Sequence, residues 1–267
     1  MSEFSRAELL AAVRRRAAER RRAQPLERLK DLVAPDSWRR ERFLQALHGP
    51  TPALIAVCQR RTPWSGAQLE ELARAGTRSA RLPLPGPRWF AFVDACRAGG
   101  AAALGVVTEQ DHFGGTLEDL QTVAHARLSR LRLDFPLDEG MVYESCLGGA
   151  DALRLVAADL SENELRALRE CCRELGLAVL IDVRDATELA LAGSLAPEAI
   201  GVPASEPQLL PLIPSGSLRI AAGGIASAAQ ACRLRDAGAQ ALLIGEALAR
   251  SAEPASTIRD WLTALRA

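Results

Sequence analysis

Eight short apolar runs, alternating with helix-length amphipathic segments, constrain the fold of this chain more than any other feature. The runs are 54–58 (LIAVC), 102–107 (AALGVV), 129–133 (SRLRL), 152–156 (ALRLV), 178–183 (AVLIDV), 199–202 (AIGV), 218–222 (LRIAA) and 241–244 (ALLI). From the third onward they recur roughly every 20 to 25 residues, separated by segments such as SENELRALRECCRELG and SAAQACRLRDAG. Regular alternation of strand and helix implies parallel strands joined by right-handed crossovers. Parallel strands covered on both faces read as near-continuous apolar runs, as these do. Eight such units fit an α/β chain folded as a (β/α)8 TIM barrel better than an open doubly wound sheet. No G-x-G-x-x-G follows the first run, which further weakens a dinucleotide-binding reading.

Ahead of the first run the pattern is helical over 6–22, 24–33 and 37–48, up to the breaker His48-Gly49-Pro50. The expected division is therefore an N-terminal helical extension over 1–50 and the barrel over 51–267. Residues 77–87, TRSARLPLPGP, are expected to be an enlarged loop after strand 1 rather than a further strand, because prolines suit a loop better than a buried strand.

Composition bounds the function. Apolar residues make up 48% of the 267, enough for a sizeable core, and 33 basic residues balance 33 acidic ones. A zero formal charge gives no reason to expect nucleic acid or an anionic membrane as a partner. No run of 18 or more apolar residues is present, and the charged N-terminus lacks an apolar signal core, so a cytoplasmic protein is expected. Cys58, Cys96, Cys146, Cys171, Cys172 and Cys232 lack C-x-x-C spacing, and His48, His112 and His125 lack H-x-x-x-H spacing. That argues against a metal site and a disulfide framework, and for buried free thiols. The basic residues include one lysine, Lys30, which precedes the first run. No barrel strand can carry a lysine, and Schiff-base chemistry from a strand is excluded.

In a barrel the active site lies at the C-terminal ends of the strands. Strand 7 ends in AAGGIAS (221–227) and strand 8 in LLIGEAL (242–248), each leading into a helix. Glycine turns at these two strands, with free amides and helix dipoles behind them, commonly hold a phosphate. The candidate amides are those of Gly223, Gly224, Gly245 and Glu246, whose side chain can point away while its amide points in. The alternative is that the glycines only make tight βα turns.

Four stretches carry a resemblance: VVTEQDHFGGTLEDL (106–120), GGADALRLVAADLSENEL (148–165), LGLAVLIDVRD (175–185) and GEALAR (245–250). Together they resemble indole-3-glycerol phosphate synthase, and the helices before strand 1, with R-x-x-F-L-Q-A-L at 40–47, resemble its N-terminal extension. The likeness runs over roughly residues 6–255 and is weak between 66 and 98. It implies a TIM barrel that closes a pyrrole ring on an anilino-ribulose phosphate, losing carbon dioxide and water without a cofactor. Such a reaction needs a general acid, cationic groups and a carboxylate base. The family takes these from lysines on strands 1 and 3, glutamates on strands 1 and 5, and an asparagine and arginine on strand 6.

Few of these groups are present. Where the family reads A-E-I-K-R-x-S-P-S, this chain has Ala56-Val57-Cys58-Gln59-Arg60-Arg61-Thr62-Pro63-Trp64. Val57 stands for the glutamate, Gln59 for the lysine, and Trp64 brings a large ring to the rim. The second lysine position holds Leu133, and Asp182 keeps an acid one methylene shorter on strand 5. On strand 6, Pro203-Ala204-Ser205 replaces the amide and guanidinium, and on strand 7 the glutamate and serine give way to Ala222 and Gly223.

What the chain gains is Arg154, in the middle of strand 4. A charge there is unfavourable unless paired. Either it points inward, pairs with Asp182 or Asp134 and offers a cation to an anionic ligand, with Arg61 and Arg132 adding to it, or it snorkels outward. Glu109 and His112 are the remaining groups able to move protons, though a lone histidine is more often a loop residue. Phe113 keeps an aromatic position suited to stacking on a planar ligand. Two functions follow. One is a non-catalytic homologue that binds a phosphorylated or carboxylated small molecule, or a partner protein. The other is a diverged lyase or isomerase using Arg154, Asp182, Glu109 and His112. An Arg154–Asp182 contact open to a pocket would favour a ligand site or an enzyme. A pocket filled by Trp64, Leu133 and Val57 would favour a structural role.

Overall fold

A computed structural model describes residues 5–60 and 87–267. Arg61, Trp64 and all of the expected 77–87 loop but its last residue lie outside the described residues, and that residue, Pro87, begins a helix instead. The strands are β1 (Ala53–Cys58), β2 (Ala103–Val107), β3 (Ser129–Leu133), β4 (Ala152–Val156), β5 (Ala178–Asp182), β6 (Ala199–Pro203), β7 (Leu218–Ala222) and β8 (Ala241–Ile244). They close into a barrel in sequential order, every pair parallel, with β8 returning to β1. The apolar runs locate all eight to within a residue or so.

The helices are α1 (Arg6–Ala23), α2 (Leu26–Leu32), α3 (Trp38–Leu47), α4 (Pro87–Gly99), α5 (Leu117–Thr122), α6 (Glu139–Leu147), α7 (Glu162–Leu175), α8 (Ala186–Ser194), α9 (Ala228–Asp236), α10 (Glu246–Arg250) and α11 (Pro254–Arg266). Helix α7 shows the local causes clearly. Ser161 and Glu164 form a reciprocal capping box at its start, and Gly176 ends it in the left-handed region at φ 76°. Between them Leu165, Leu168, Cys172 and Leu175 recur at helical spacing and are buried. The crossover from β6 to β7 holds only a 3-10 turn, Pro207–Leu212. Pro207, Pro211 and Pro214 lack the amide donors an α-helix there would need.

Strand parity decides what faces the barrel axis. Ile55, Val57, Leu131, Leu133, Leu180, Ile220 and Leu243 pack into one interior cluster. Large and small residues alternate around the ring. A Cβ at Gly105 would come within 2.8 Å of the Leu133 side chain, and one at Gly201 within 2.1 Å of the Asp182 carboxylate. Glycine at these two positions is what makes room for its neighbour.

The helices before β1 grip the barrel at both ends. Phe43 and Leu47 of α3 join the interior cluster. Beside them Arg42 pairs with Asp151 at 2.7 Å and Arg40 with Glu198 at 2.6 Å, just ahead of β4 and β6. Helix α1 crosses the opposite rim. Its Leu9, Val13 and Ala17 are buried in the same cluster. Arg6 pairs with Asp159 at 2.6 Å, Arg16 with Asp111 at 2.8 Å, and Arg20 with Glu144 at 3.0 Å. Among the described residues no helix is long and apolar enough to cross a membrane.

Candidate functional site

A cavity of about 1150 Å³ opens at the C-terminal ends of the strands. Among the described residues nothing fills it: Val57 and Leu133 line it rather than plug it. Gln59 and Phe113 line it too, as do Gly223, Gly224, Gly245 and Glu246 from the turns after β7 and β8. The candidate pocket and phosphate-end residues within the described chain therefore share one space. Gly223 and Gly224 both have positive φ, 71° and 69°, and among the described residues none but the chain neighbours puts an atom within 4 Å of where their Cβ atoms would be. The turn is therefore open to a ligand and built from backbone that other residues rarely adopt. Ser227 caps α9 by accepting a hydrogen bond from the Gln230 amide. The Glu246 carboxylate turns along its own helix to Arg250, 2.6 Å away.

On the far wall stands Arg154. Ala152 and Val156, its neighbours of like parity, belong to the interior cluster, so Arg154 points inward. Its Nη2 donates to the Asp134 carbonyl at 3.1 Å and its Cζ lies 4.9 Å from the centre of the Phe135 ring. Phe135 in turn packs against Phe113, ring centres 6.2 Å apart. The Arg154 Nη1 approaches Asp182 Oδ2 only to 3.7 Å, beyond a hydrogen bond, with the two side chains 17% and 21% exposed.

Burial pushes the Asp182 carboxyl up, and the positive charges of Arg154 and Arg6 only partly oppose this. An acid raised in the folded state weakens folding once it ionises. Its unfavourable contribution is absent below the unfolded value, about 3.9, and grows as the pH rises through the folded one. Asp182→Asn is therefore expected to melt higher than the parent at pH 7.5, with the difference vanishing toward pH 4. A lower melting temperature across that range would show that the ionised pair holds the fold.

Four expected contributors are engaged elsewhere. Arg132 faces outward from β3 and is 1% exposed. It donates to Thr108 Oγ1 at 2.8 Å, the Met141 carbonyl at 2.8 Å, Ser145 Oγ at 2.9 Å and Asp134 Oδ2 at 2.7 Å. It is a buried strut between β3 and α6, not a ligand cation. Asp134 gives Arg154 its carbonyl, not its carboxylate. Burial alone would raise that carboxyl, but Arg132, Thr108 and the Phe135 amide together hold it below the usual range. Glu109 accepts hydrogen bonds from the amides of Asp111, His112 and Phe113 at 3.0, 2.8 and 2.9 Å. It also meets His112 Nδ1 at 3.2 Å. It shapes the loop after β2, and neither it nor His112 lines the cavity.

The cavity also holds residues that sequence reasoning missed. Arg6 reaches in from α1, and Arg184, Arg250 and Trp261 from the loop after β5 and the last helices. Arg6 is 153 positions from its partner Asp159, so no local spacing reveals it. The one available clue is the Ser5–Glu8 capping box, which fixes Arg6 in the first turn of α1. Five of the six cysteines are buried, with the Cys96 thiol pushed up by burial to about 12 and Cys146 to about 11, far from nucleophile range. Among the described residues no three histidine, cysteine or acidic side chains stand close enough to hold a metal.

A family profile described as Indole-3-glycerol phosphate synthase matches residues 90–261. Among curated proteins, the indole-3-glycerol phosphate synthase of Nocardioides sp. (strain ATCC BAA-499 / JS614) is 34% identical, over 94% of this chain and 95% of its own. The enzyme of that name from Chlorobium phaeovibrioides is also 34% identical, over 92% of this chain and 94% of its own. Among solved structures, orotidine 5'-phosphate decarboxylase from Pyrococcus horikoshii OT3 superposes with a TM-score of 0.59 over 68% of this chain and 95% of its own. At 13% identity that likeness speaks to the barrel alone.

Proposed function

The chain belongs to the indole-3-glycerol phosphate synthase family, and from that premise we propose that it is a member that binds a phosphorylated or carboxylated small molecule without closing the pyrrole ring. One observation carries the reading. The cavity is open, yet its wall at Val57, Gln59 and Leu133 offers no group that can donate a proton or carry a positive charge, where the resemblance implies a glutamate and two lysines. What supports ligand binding is the pair of glycine turns after β7 and β8 on one side and Arg154 on the other. The reading is that the phosphate sits on the amides of Gly223, Gly224, Gly245 and Glu246, and a second acidic group lies near Arg154. No cofactor enters, and a protein partner remains the reading to turn to if small anions fail.

A thermal-shift titration tests this against inorganic phosphate, the anilino-ribulose phosphate and indole glycerol phosphate, with indole fluorescence followed in parallel. A ligand at 100 times its dissociation constant stabilises by about 2.7 kcal/mol. A shift of that order without indole formation is expected. No shift with any of the three overturns the phosphate site.

A second reading has its own support. Asp182 is recessed, raised and beside Arg154 in an open cavity, which is how enzymes prepare a carboxyl for proton transfer. It would make the protein a diverged lyase or isomerase on a related aromatic or sugar-phosphate substrate. Turnover of such a substrate that is lost in Asp182→Asn would establish it.

A further inference from the structure

Among the described residues, unsatisfied hydrogen-bonding capacity gathers beside the cavity. Seven buried side-chain nitrogen and oxygen atoms lack a hydrogen-bond partner among the described residues. Three of them, Arg6 Nη2, Arg154 Nε and Asp182 Oδ1, belong to residues that line the cavity, and a fourth, Asp159 Oδ2, belongs to the carboxylate that pairs with Arg6. Unmatched buried polar atoms are rare enough to need a reason. Here two cations and two carboxylates stand together, and one contact is left loose: Arg154 and Asp182 stop 3.7 Å apart, while Arg6 and Asp159 close to 2.6 Å. A pair meant only to hold the fold would close. A pair that gives way to a ligand would look like this one.

The barrel's closure fixes where such a ligand reaches. In an eight-stranded ring β4 lies opposite β8, so Arg154 faces the turn at Gly245 across the mouth. Strands about 4.8 Å apart and tilted about 36° close into a ring roughly 15 Å across. A ligand touching both walls is a short rod with an acid at each end, and the Phe113 and Phe135 rings line its path.

Resting on the anion-binding reading above, we propose that the ligand's second acidic group takes the place of Asp182 at Arg154, and that Asp182 takes up a proton from solvent as it is displaced. Arg154 then selects for carboxylate-bearing phosphomonoesters over plain ones, and Asp182 makes that selection depend on pH. Among the described residues the displaced carboxylate meets no uncompensated cation. Arg6, the other cation near it, already shares its charge with Asp159 through Nε, so it gives the carboxylate little compensation even with its Nη2 unmatched. On the β6 side stands Gly201, with no charge to offer. Arg184, which follows β5, is engaged by Glu188 at 2.6 Å. Losing Arg154 leaves burial unopposed from that side, so the neutral acid is the favoured form.

The matched probes are 4-carboxyphenyl phosphate and phenyl phosphate, compared by isothermal titration calorimetry between pH 5.5 and 7.5. Each pH is run in two buffers of different ionisation heat, which reads proton uptake directly. Subtracting the second probe removes the phosphate's own titration. The carboxylated probe is expected to bind about tenfold tighter at the acid end, with the advantage shrinking as the pH rises. Its binding should take up extra protons, to a maximum of one. Asp182→Asn keeps the advantage at every pH without the extra uptake, and Arg154→Met loses the advantage altogether. Equal affinity for both probes, or an advantage without extra proton uptake, overturns the exchange and leaves the phosphate site standing. Failure of both probes to bind overturns the exchange and the anion-binding reading together. The wild-type measurement decides the matter even if a variant does not fold.

Discussion

Supplied with saturating anilino-ribulose phosphate, the protein is expected to form indole about 10⁴-fold more slowly than a family member with its acid and cations in place, and the assay should read background. The size follows from what each position does. A positioned general acid contributes about 10²–10⁴-fold and a fixed electrostatic stabiliser about 10²–10³-fold. Valine and leucine supply neither, and Gln59 can hydrogen-bond but cannot be a cation. Groups that act as a unit do not multiply cleanly on removal, so the largest single loss, about 10⁴, is the safer figure. Arg154 does not repair the loss. It enters from β4, already leans on Asp134 and Phe135, and a guanidinium that stays protonated at neutral pH makes a poor proton donor. Indole fluorescence at fixed enzyme concentration is the measurement. Turnover within a hundredfold of an ordinary family member would sink the reading of Val57, Gln59 and Leu133.

The second large effect is on stability. Arg132→Met is expected to destabilise the protein by about 3–5 kcal/mol, because it leaves the Asp134 carboxylate buried and unpaired. For a chain of this size each kcal/mol lowers the melting temperature by about 2–4 °C, so a fall of roughly 6–20 °C follows. The double change Arg132→Met with Asp134→Leu should recover part of it, since an apolar pair of similar volume removes the orphan charge. The pH dependence has a definite sign. Asp134 is held below its ordinary value, so its contribution is present above the unfolded value of about 3.9 and is lost as the pH falls through the folded one. Arg132→Met should therefore approach the parent's stability in acid. Urea unfolding at pH 7 and pH 3.5 checks both points. A loss under about 1 kcal/mol at pH 7 would mean that water or a shifted side chain satisfies Asp134.

Strand positions were legible because burial on both faces demands unbroken apolar runs, and nothing else in the chain produces them at that spacing. The glycine turns after β7 and β8 were legible for a related reason: strand order alone puts them at one rim. Helical extension before β1 could be read from its charged periodicity, but its grip on the barrel could not. Arg16 with Asp111, and Arg20 with Glu144, join residues about a hundred positions apart. The loop glutamate needed geometry. Its sequence marks Glu109 only as a group able to move protons, whereas the fold brings three backbone amides onto its carboxylate.

Two arginines draw the boundary between the sequence and the fold. SRLRL and ALRLV set a charge among apolar residues in the same way, and in a strand covered on both sides the pattern cannot say which face the charge takes. The sequence by itself determined that the chain alternates strand and helix, that no lysine stands in the barrel, and that valine, glutamine and leucine occupy the positions where the family's chemistry would sit. Only the tertiary structure decided that Arg132 turns out to brace β3 against α6, while Arg154 turns in beside Asp182. The reason is register. Arg154 pairs with Leu180 across β4 and β5, whose side chain belongs to the barrel interior, and closure of the ring carries that parity to every strand.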